Sequence, residues 1–308
     1  MINRRNIRVK VMQTLYTITA LETEMKPGDA VKILQKHFDQ TRQLFIYLVY
    51  FLAEVARYAE TAAHNRASKH LPTYEDLHVN TKLSGNEILS KINEDPSFKD
   101  FVKKDRPESL LDKELVKRIY HDLVETQEYK TYIAKSKRDK KEEREMVEFI
   151  LEKFMLEKES FLSHIEENFT NWDDDAEMVI LLLTNYLQKP GGYNFKEMIS
   201  DEKWSFAKDL LQTVRDKSEH LESLVIPKLK NWDPERIALL DMILMKMGVA
   251  EFLYFETIPP KVTINEYIDL AKEYSTPQSG QFINGLLDNI HKDLLKDEKM
   301  HKVAFKKK

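Results

Sequence analysis

The sequence predicts an all-α protein. Three observations carry that expectation: 308 residues that are 32% charged and 42% hydrophobic with seven Gly and ten Pro, apolar residues recurring three and four positions apart over long segments, and no convincing two-residue alternation.

Taken in chain order, the segment from Arg4 to Tyr16 reads as an amphipathic helix with Val11, Met12 and Leu15 on its apolar face. Residues 41–66 form the next helix, which contains the apolar run from Leu44 to Ala53. Ten residues of helix cover about half of a bilayer's hydrocarbon core, and Glu54 and Arg57 follow at once, so a buried helix is expected rather than a membrane span. Residues 72–107 read as a looser stretch punctuated by Pro72, Gly85, Pro96 and Pro107, and residues 110–134 and 138–165 as helices. The mixed charge run from Lys135 to Arg144 is a solvated corner or helix surface, and Pro190-Gly191-Gly192-Tyr193 is the clearest break. Near the end, Pro259-Pro260 excludes helix, while Thr263-Ile264-Asn265-Glu266 has the form of a capping box that starts a helix at Ile264. Ile264, Tyr267, Ile268 and Ala271 make its buried stripe, and Ser275-Thr276-Pro277 ends it. In the last helix Phe282, Ile283, Leu286, Leu287 and Ile290 read mostly as core, and Gly285 as a point of close helix contact.

The chain also echoes itself. Sliding it by 60 positions lays Phe161, Ile165, Phe169, Asn171, Trp172 and Asp173 over Leu221, Val225, Leu229, Asn231, Trp232 and Asp233 without a gap. Further back, Met146, Ile150, Leu151 and Phe154 fall over Phe206, Leu210, Leu211 and Val214. Each unit reads as a long amphipathic helix, an Asn-Trp-Asp corner and an apolar helix. Asp173 and Asp233 are the expected N-caps, the second followed by Pro234 at the first helical position.

Composition narrows the function. With no Cys there are no disulfides or thiolate metal sites, and the nine His lack zinc-binding spacing. No catalytic or cofactor motif is present, so no enzyme and no cofactor are expected. Arg4 and Arg5 lead into an amphipathic helix rather than the apolar stretch of a signal peptide, and a cytoplasmic location is expected. The net charge of −4 speaks against a broadly nucleic-acid-coating surface, so any RNA site is local. Basic residues gather at the two ends: Arg4, Arg5, Arg8 and Lys10 at the start, and seven lysines from Lys292 to Lys308 at the finish, the latter read as a mobile tail.

Two separated pieces resemble the transcription antitermination factor NusB family. The first is Arg4-Arg5-Asn6-Ile7-Arg8-Val9-Lys10-Val11-Met12-Gln13-Thr14-Leu15-Tyr16, similar to the arginine-rich opening helix of that family. The second runs from about Lys203 to Asp293 and includes Asn231-Trp232-Asp233, Arg236, Leu239-Leu240, Ile264-Asn265-Glu266 and Phe282-Ile283-Asn284-Gly285 in family order. The resemblance implies a NusB-like helical bundle of two subdomains, here enlarged by an inserted helical module. The expected organisation is an RNA-binding helix at 1–29, an inserted module at 30–195 partly repeating the unit that follows it, a NusB-like region at 196–293 and a basic tail at 294–308.

The resemblance further implies binding of a short single-stranded RNA called boxA, together with the ribosomal protein NusE, in a complex that keeps RNA polymerase elongating through ribosomal RNA operons. Arg4, Arg5, Arg8 and Lys10 then face phosphates, Gln13 and Tyr16 offer an amide and a stacking ring, and Phe282 matches a family position near the RNA. Periodicity alone places Phe282 equally well in the core. Family charges around it are replaced by Gln278 and Gln281. Two other classes compete. A helical protein-interaction scaffold without RNA binding fits the same helices. An RNA-modifying enzyme with a NusB-like accessory domain would need a strand followed by a Gly-rich turn, which this chain lacks.

Overall fold

A computed structural model describes residues 2–21, 25–191, 194–195, 198–229 and 237–303. Among them no strand occurs. Helices α1 (Arg4–Ala20), α2 (Asp29–Ala67), α3 (Tyr74–Leu77), α4 (Glu87–Glu94), α5 (Pro96–Asp105), α6 (Lys113–Val124), α7 (Gln127–Ala134) and α8 (Lys140–Phe149) come first. After a π-helical turn at Ile150–Leu156 follow α9 (Glu159–Asn168), α10 (Trp172–Gln188), α11 (Asp201–Asp216), α12 (Ser218–Val225), α13 (Leu239–Tyr254), α14 (Pro260–Tyr274) and α15 (Ser279–Lys296). No helix among the described residues is long and apolar enough to cross a membrane.

Contacts divide the chain into a split unit, Ile2–Phe38 with Ile199–Lys308, and a continuous unit, Asp39–Met198. In the split unit α13 is the axis. Its residues are apolar on nearly every side, so it is stable only when surrounded; α1, α11, α12, α14 and α15 all pack on it. A Cβ on Gly248 would stand 2.9 Å from Leu287 Cδ2 and 3.4 Å from Tyr267 Cδ2, so this glycine is what lets α14 and α15 approach α13. Gly285, expected to play that part, faces open space instead.

The continuous unit is built on α2. Phe51 meets Phe161 of α9 edge-on at 4.8 Å, and Tyr47 meets Phe169 at 5.1 Å between ring centres. Thr41 on α2 donates to Asp175 (2.7 Å), as does Asn171 (2.6 Å), which ties the start of α10 to α2. Asp173 is therefore not the N-cap: α10 begins two residues earlier than that cap would place it, at Trp172, and the cap position, Asn171, has its side chain turned to Asp175.

Between residues 72 and 107, read as a looser stretch, three capped helices form, the short α3 opening on a Thr73–Asp76 capping box. Asn86 accepts from the Ile88 and Leu89 amides and opens α4; Asp95 accepts from Ser97 and Phe98 and opens α5, with Pro96 in the first helical position. Pro96 thus acts as a helix start rather than a breaker. Similarly, Thr126 caps α7 and divides the expected 110–134 helix in two. At the 60-residue echo, Ile150 and Leu210, Phe161 and Leu221, Ile165 and Val225, and Phe169 and Leu229 are all buried. Trp172 is 8% exposed. Its partner in the echo, Trp232, lies outside the described residues with Asn231, Asp233, Pro234 and Arg236.

Candidate functional site

Helix α1 opens with Asn3, whose side chain accepts from the Asn6 amide at 2.8 Å. Ile7, Val11, Met12 and Leu15 are buried against α11 and α13. The basic residues interleaved with them go to two different places.

Arg8 and Lys10 go inward, each 2% exposed. The Arg8 guanidinium donates from Nε to Glu251 Oε1 (2.7 Å) and from Nη2 to Glu251 Oε2 (3.1 Å), and Nη1 stands 3.2 Å from Glu266 Oε2. Glu251, fully buried on α13, also accepts from Thr263 Oγ1 and the Tyr267 hydroxyl, both at 2.9 Å. Burial opposes the charge on Arg8, but the hydrogen bonds and charge of Glu251, with Tyr267 and Glu266, outweigh it and leave the pKa raised. Burial, then the Glu251 charge, pushes Tyr267 well up. This cluster corrects two expectations. Arg8 and Lys10 do not form a surface patch with Arg4 and Arg5. Thr263 and Glu266 do not make a capping box either, because α14 starts at Pro260, where a missing amide hydrogen costs nothing, and both side chains are used on the Arg8 cluster.

Arg4 and Arg5 stay at the surface, each already beside a carboxylate. Arg4 Nη2 pairs with Glu202 Oε1 at 3.0 Å and the guanidinium lies over the Phe206 ring. Arg5 pairs with Glu273 Oε2 at 2.7 Å and approaches Asp269 Oδ2 at 3.8 Å. Exposed pairs of this kind are worth about 0–1 kcal/mol, so a phosphate can displace the carboxylate.

Two to three turns further along α1, Gln13 and Tyr16 border an apolar groove of about 490 Å³ that is completed by Leu239, Leu240 and residues 274–276. Tyr16 is 47% exposed. Phe282 is half-buried, between the core and surface alternatives; its ring lines a second cavity of about 370 Å³ with Gln278, Gln281, Asn289 and Lys228, the last paired with Asp293. The α14–α15 connection joins the two cavities. Its first residues line the Tyr16 groove, Gln278 lines the Phe282 cavity, and Glu273 just before it holds Arg5. Ser279 fixes this connection: it is within hydrogen-bond reach of Ser275 (3.0 Å) and Thr276 (2.8 Å), and donates to the buried Asp241 (2.8 Å).

The basic tail is docked as far as it is described. Lys302 donates to the Glu251 and Phe255 carbonyls, both at 2.7 Å, capping the end of α13, and burial lowers its pKa. Sequence reasoning missed this cap, the Glu251 cluster and the Ser279 network. Glu251 had a readable signal: a lone acid in the apolar Met247–Tyr254 stretch needs a buried cation. Among the described residues no group of three or more acidic or His side chains has a metal-holding arrangement.

Residues 170–292 match the family model described as "NusB family". Curated relatives carry the name transcription antitermination protein NusB. The chain is 39% identical to that of Salinibacter ruber over 99 residues (32% of this chain, 62% of the relative). It is 38% identical to that of Methylacidiphilum infernorum over 98 residues (32% and 64%), and 34% to that of Chloroherpeton thalassium over 111 residues (35% and 51%). The chain thus spans between half and two thirds of the length of these relatives. No solved structure matches it.

Proposed function

From a chain whose residues 170–292 carry a NusB family domain, we propose a transcription antitermination factor that binds a boxA-like single-stranded RNA with ribosomal protein NusE, within an elongating RNA polymerase complex. The observation that carries this reading is the continuity of Arg5, the Tyr16 groove and the Phe282 cavity along the α14–α15 connection. A phosphate-binding cation, a half-exposed ring, and a second ring among carboxamides are the parts from which single-strand recognition is assembled. RNA-binding side chains in this reading are Arg4, Arg5, Gln13, Tyr16 and Phe282. Arg8 and Lys10 shape the helix that presents them. Two surface arginines make for weak binding alone, so affinity and specificity arise with the protein partner.

The second reading is a helical scaffold without direct RNA binding. It draws on the pairing of Arg4 and Arg5 with carboxylates and on the apolar character of the Tyr16 groove. Titration of the full chain with boxA-like RNA, scrambled RNA and duplex RNA, with and without NusE, separates them. RNA affinity that is strand-selective and rises with NusE supports the first; NusE binding with no RNA affinity in any mixture supports the second.

A further inference from the structure

The continuous unit has a cavity that the proposed RNA tip does not use. It measures about 280 Å³, near the lower end of small-molecule sites, and lies where α2 meets the 3-10 turn Pro107–Leu110 and the α9–α10 corner. Its polar wall is made of carboxamides and hydroxyls: Gln40 and Gln43 from α2, Asn168 and Thr170 from the corner. Its apolar wall is Tyr47, Leu110 and Phe169. The one carboxylate on the wall, Asp105, is held at both oxygens by Arg42, each contact at 3.2 Å, so the lining presents no uncompensated charge.

The walls are held in place. The Tyr47 hydroxyl donates to the Leu110 carbonyl at 3.2 Å and meets His164 Nε2 at 2.5 Å, which fixes the turn against α2. Arg106 takes a left-handed conformation (φ 49°) between α5 and the turn, which brings Asp105 and Pro107 to the cavity. Lys103, Lys104 and Arg106 are exposed beside those two lining residues, with Glu108 as the opposing charge.

We propose that this cavity takes one unpaired purine base of a single-stranded RNA, with adenine best matched, while Lys103, Lys104 and Arg106 meet the flanking phosphates. An uncharged interior with adjacent donors and acceptors suits a base edge, since a carboxamide can pair with adenine's donor and acceptor together. The apolar wall covers the base face. Three exposed cations within two residues of the lining Asp105 and Pro107, next to a neutral pocket, match the charge distribution of a nucleotide rather than that of a neutral metabolite. The site shares no residue with the proposed tip and stands or falls separately from it.

The test uses the full chain and a hexa-adenylate carrying one 2-aminopurine, whose emission reports enclosure of the base. The expected result is saturable quenching, reversed by adenosine, that weakens about tenfold or more in the Gln40→Leu/Gln43→Leu double variant. In Lys103→Ala/Lys104→Ala the hexamer weakens while adenosine competes unchanged. Repeating the titration in an Arg4→Ala/Arg5→Ala background removes any contribution from the tip, and the dependence on Gln40 and Gln43 persists there. Quenching that is equal in parent and Gln40→Leu/Gln43→Leu proteins overturns the site. So does failure of adenosine to compete where an uncharged peptide does, which assigns the cavity to a protein segment.

Discussion

Arg8 and Glu251 lie 243 residues apart in the chain and meet in a two-point ion pair inside the split unit, at 2.7 and 3.1 Å. This contact joins the opening helix to the axial helix, and it removes from the proposed RNA-facing surface a charge that the sequence offered.

Truncating one partner of that pair leaves the other charged and buried. Arg8→Ala should therefore lower stability by about 3–5 kcal/mol, measured by urea unfolding. The double replacement Arg8→Met/Glu251→Met should recover a substantial part of the loss, because no uncompensated charge remains. An Arg8→Ala protein of parental stability but reduced RNA affinity would mean instead that Arg8 acts at the surface.

For the proposed RNA tip, two surface arginines rather than four cations set the expected salt dependence. Neutralising two phosphates gives a slope near −1.4, a loss of roughly sevenfold between 50 and 200 mM salt. Arg4→Ala/Arg5→Ala should flatten that slope. Asp269→Asn/Glu273→Gln should do the opposite to affinity: it frees Arg5 from its carboxylates and tightens RNA binding. Filter binding over a salt series checks both, and RNA binding no tighter in the Asp269→Asn/Glu273→Gln variant would remove Arg5 from the site.

Trp172, at the head of α10, is buried in the continuous unit. Trp172→Ala should cost about 3–5 kcal/mol through lost transfer energy and a residual cavity. Thermal unfolding of the full chain followed by circular dichroism reads this directly; a loss below about 1 kcal/mol would mean that the corner is not a packing element.

His164 has a pKa lowered by burial, partly offset by Asp112 and Glu167. The unfolded chain thus binds a proton more readily than the folded one, and stability falls as pH drops from the unfolded value near ~6.5 through the lower folded value. His291 is shifted the same way by burial, so the measurement must be a difference. His164→Gln should show a shallower loss of stability with falling pH than the parent over that window. Identical pH profiles would show that His164 titrates normally.

How much of this was legible in the sequence differs by element. The helical content and the buried positions of the echo could be read because helical periodicity reports burial directly. Proline and capping residues were ambiguous: Pro96 and Pro260 start helices where the same residues, read alone, break them. The site was harder. Arg4, Arg5, Arg8 and Lys10 look alike along the chain, yet only the first two reach the surface, while Lys10 is buried and Arg8 is drawn in by Glu251, a partner far away in sequence. A residue's own segment carries no record of such long-range partners. Gln13, Tyr16 and Phe282 were found as residue types, whereas the connection that runs between them appears only when α14 and α15 are folded together.

The split unit also has a consequence for synthesis. Helix α1 is made well before α11 and α13, against which it packs, and Glu251 follows Arg8 by 243 residues. At ~5–20 residues per second the ribosome takes about 12–50 s to cover that interval. The continuous unit can fold in the meantime, while Ile7, Val11 and Leu15 wait without their eventual neighbours. Helix α1 is therefore a candidate client for chaperones acting on nascent chains, and the split unit is completed only after the whole continuous unit has been made.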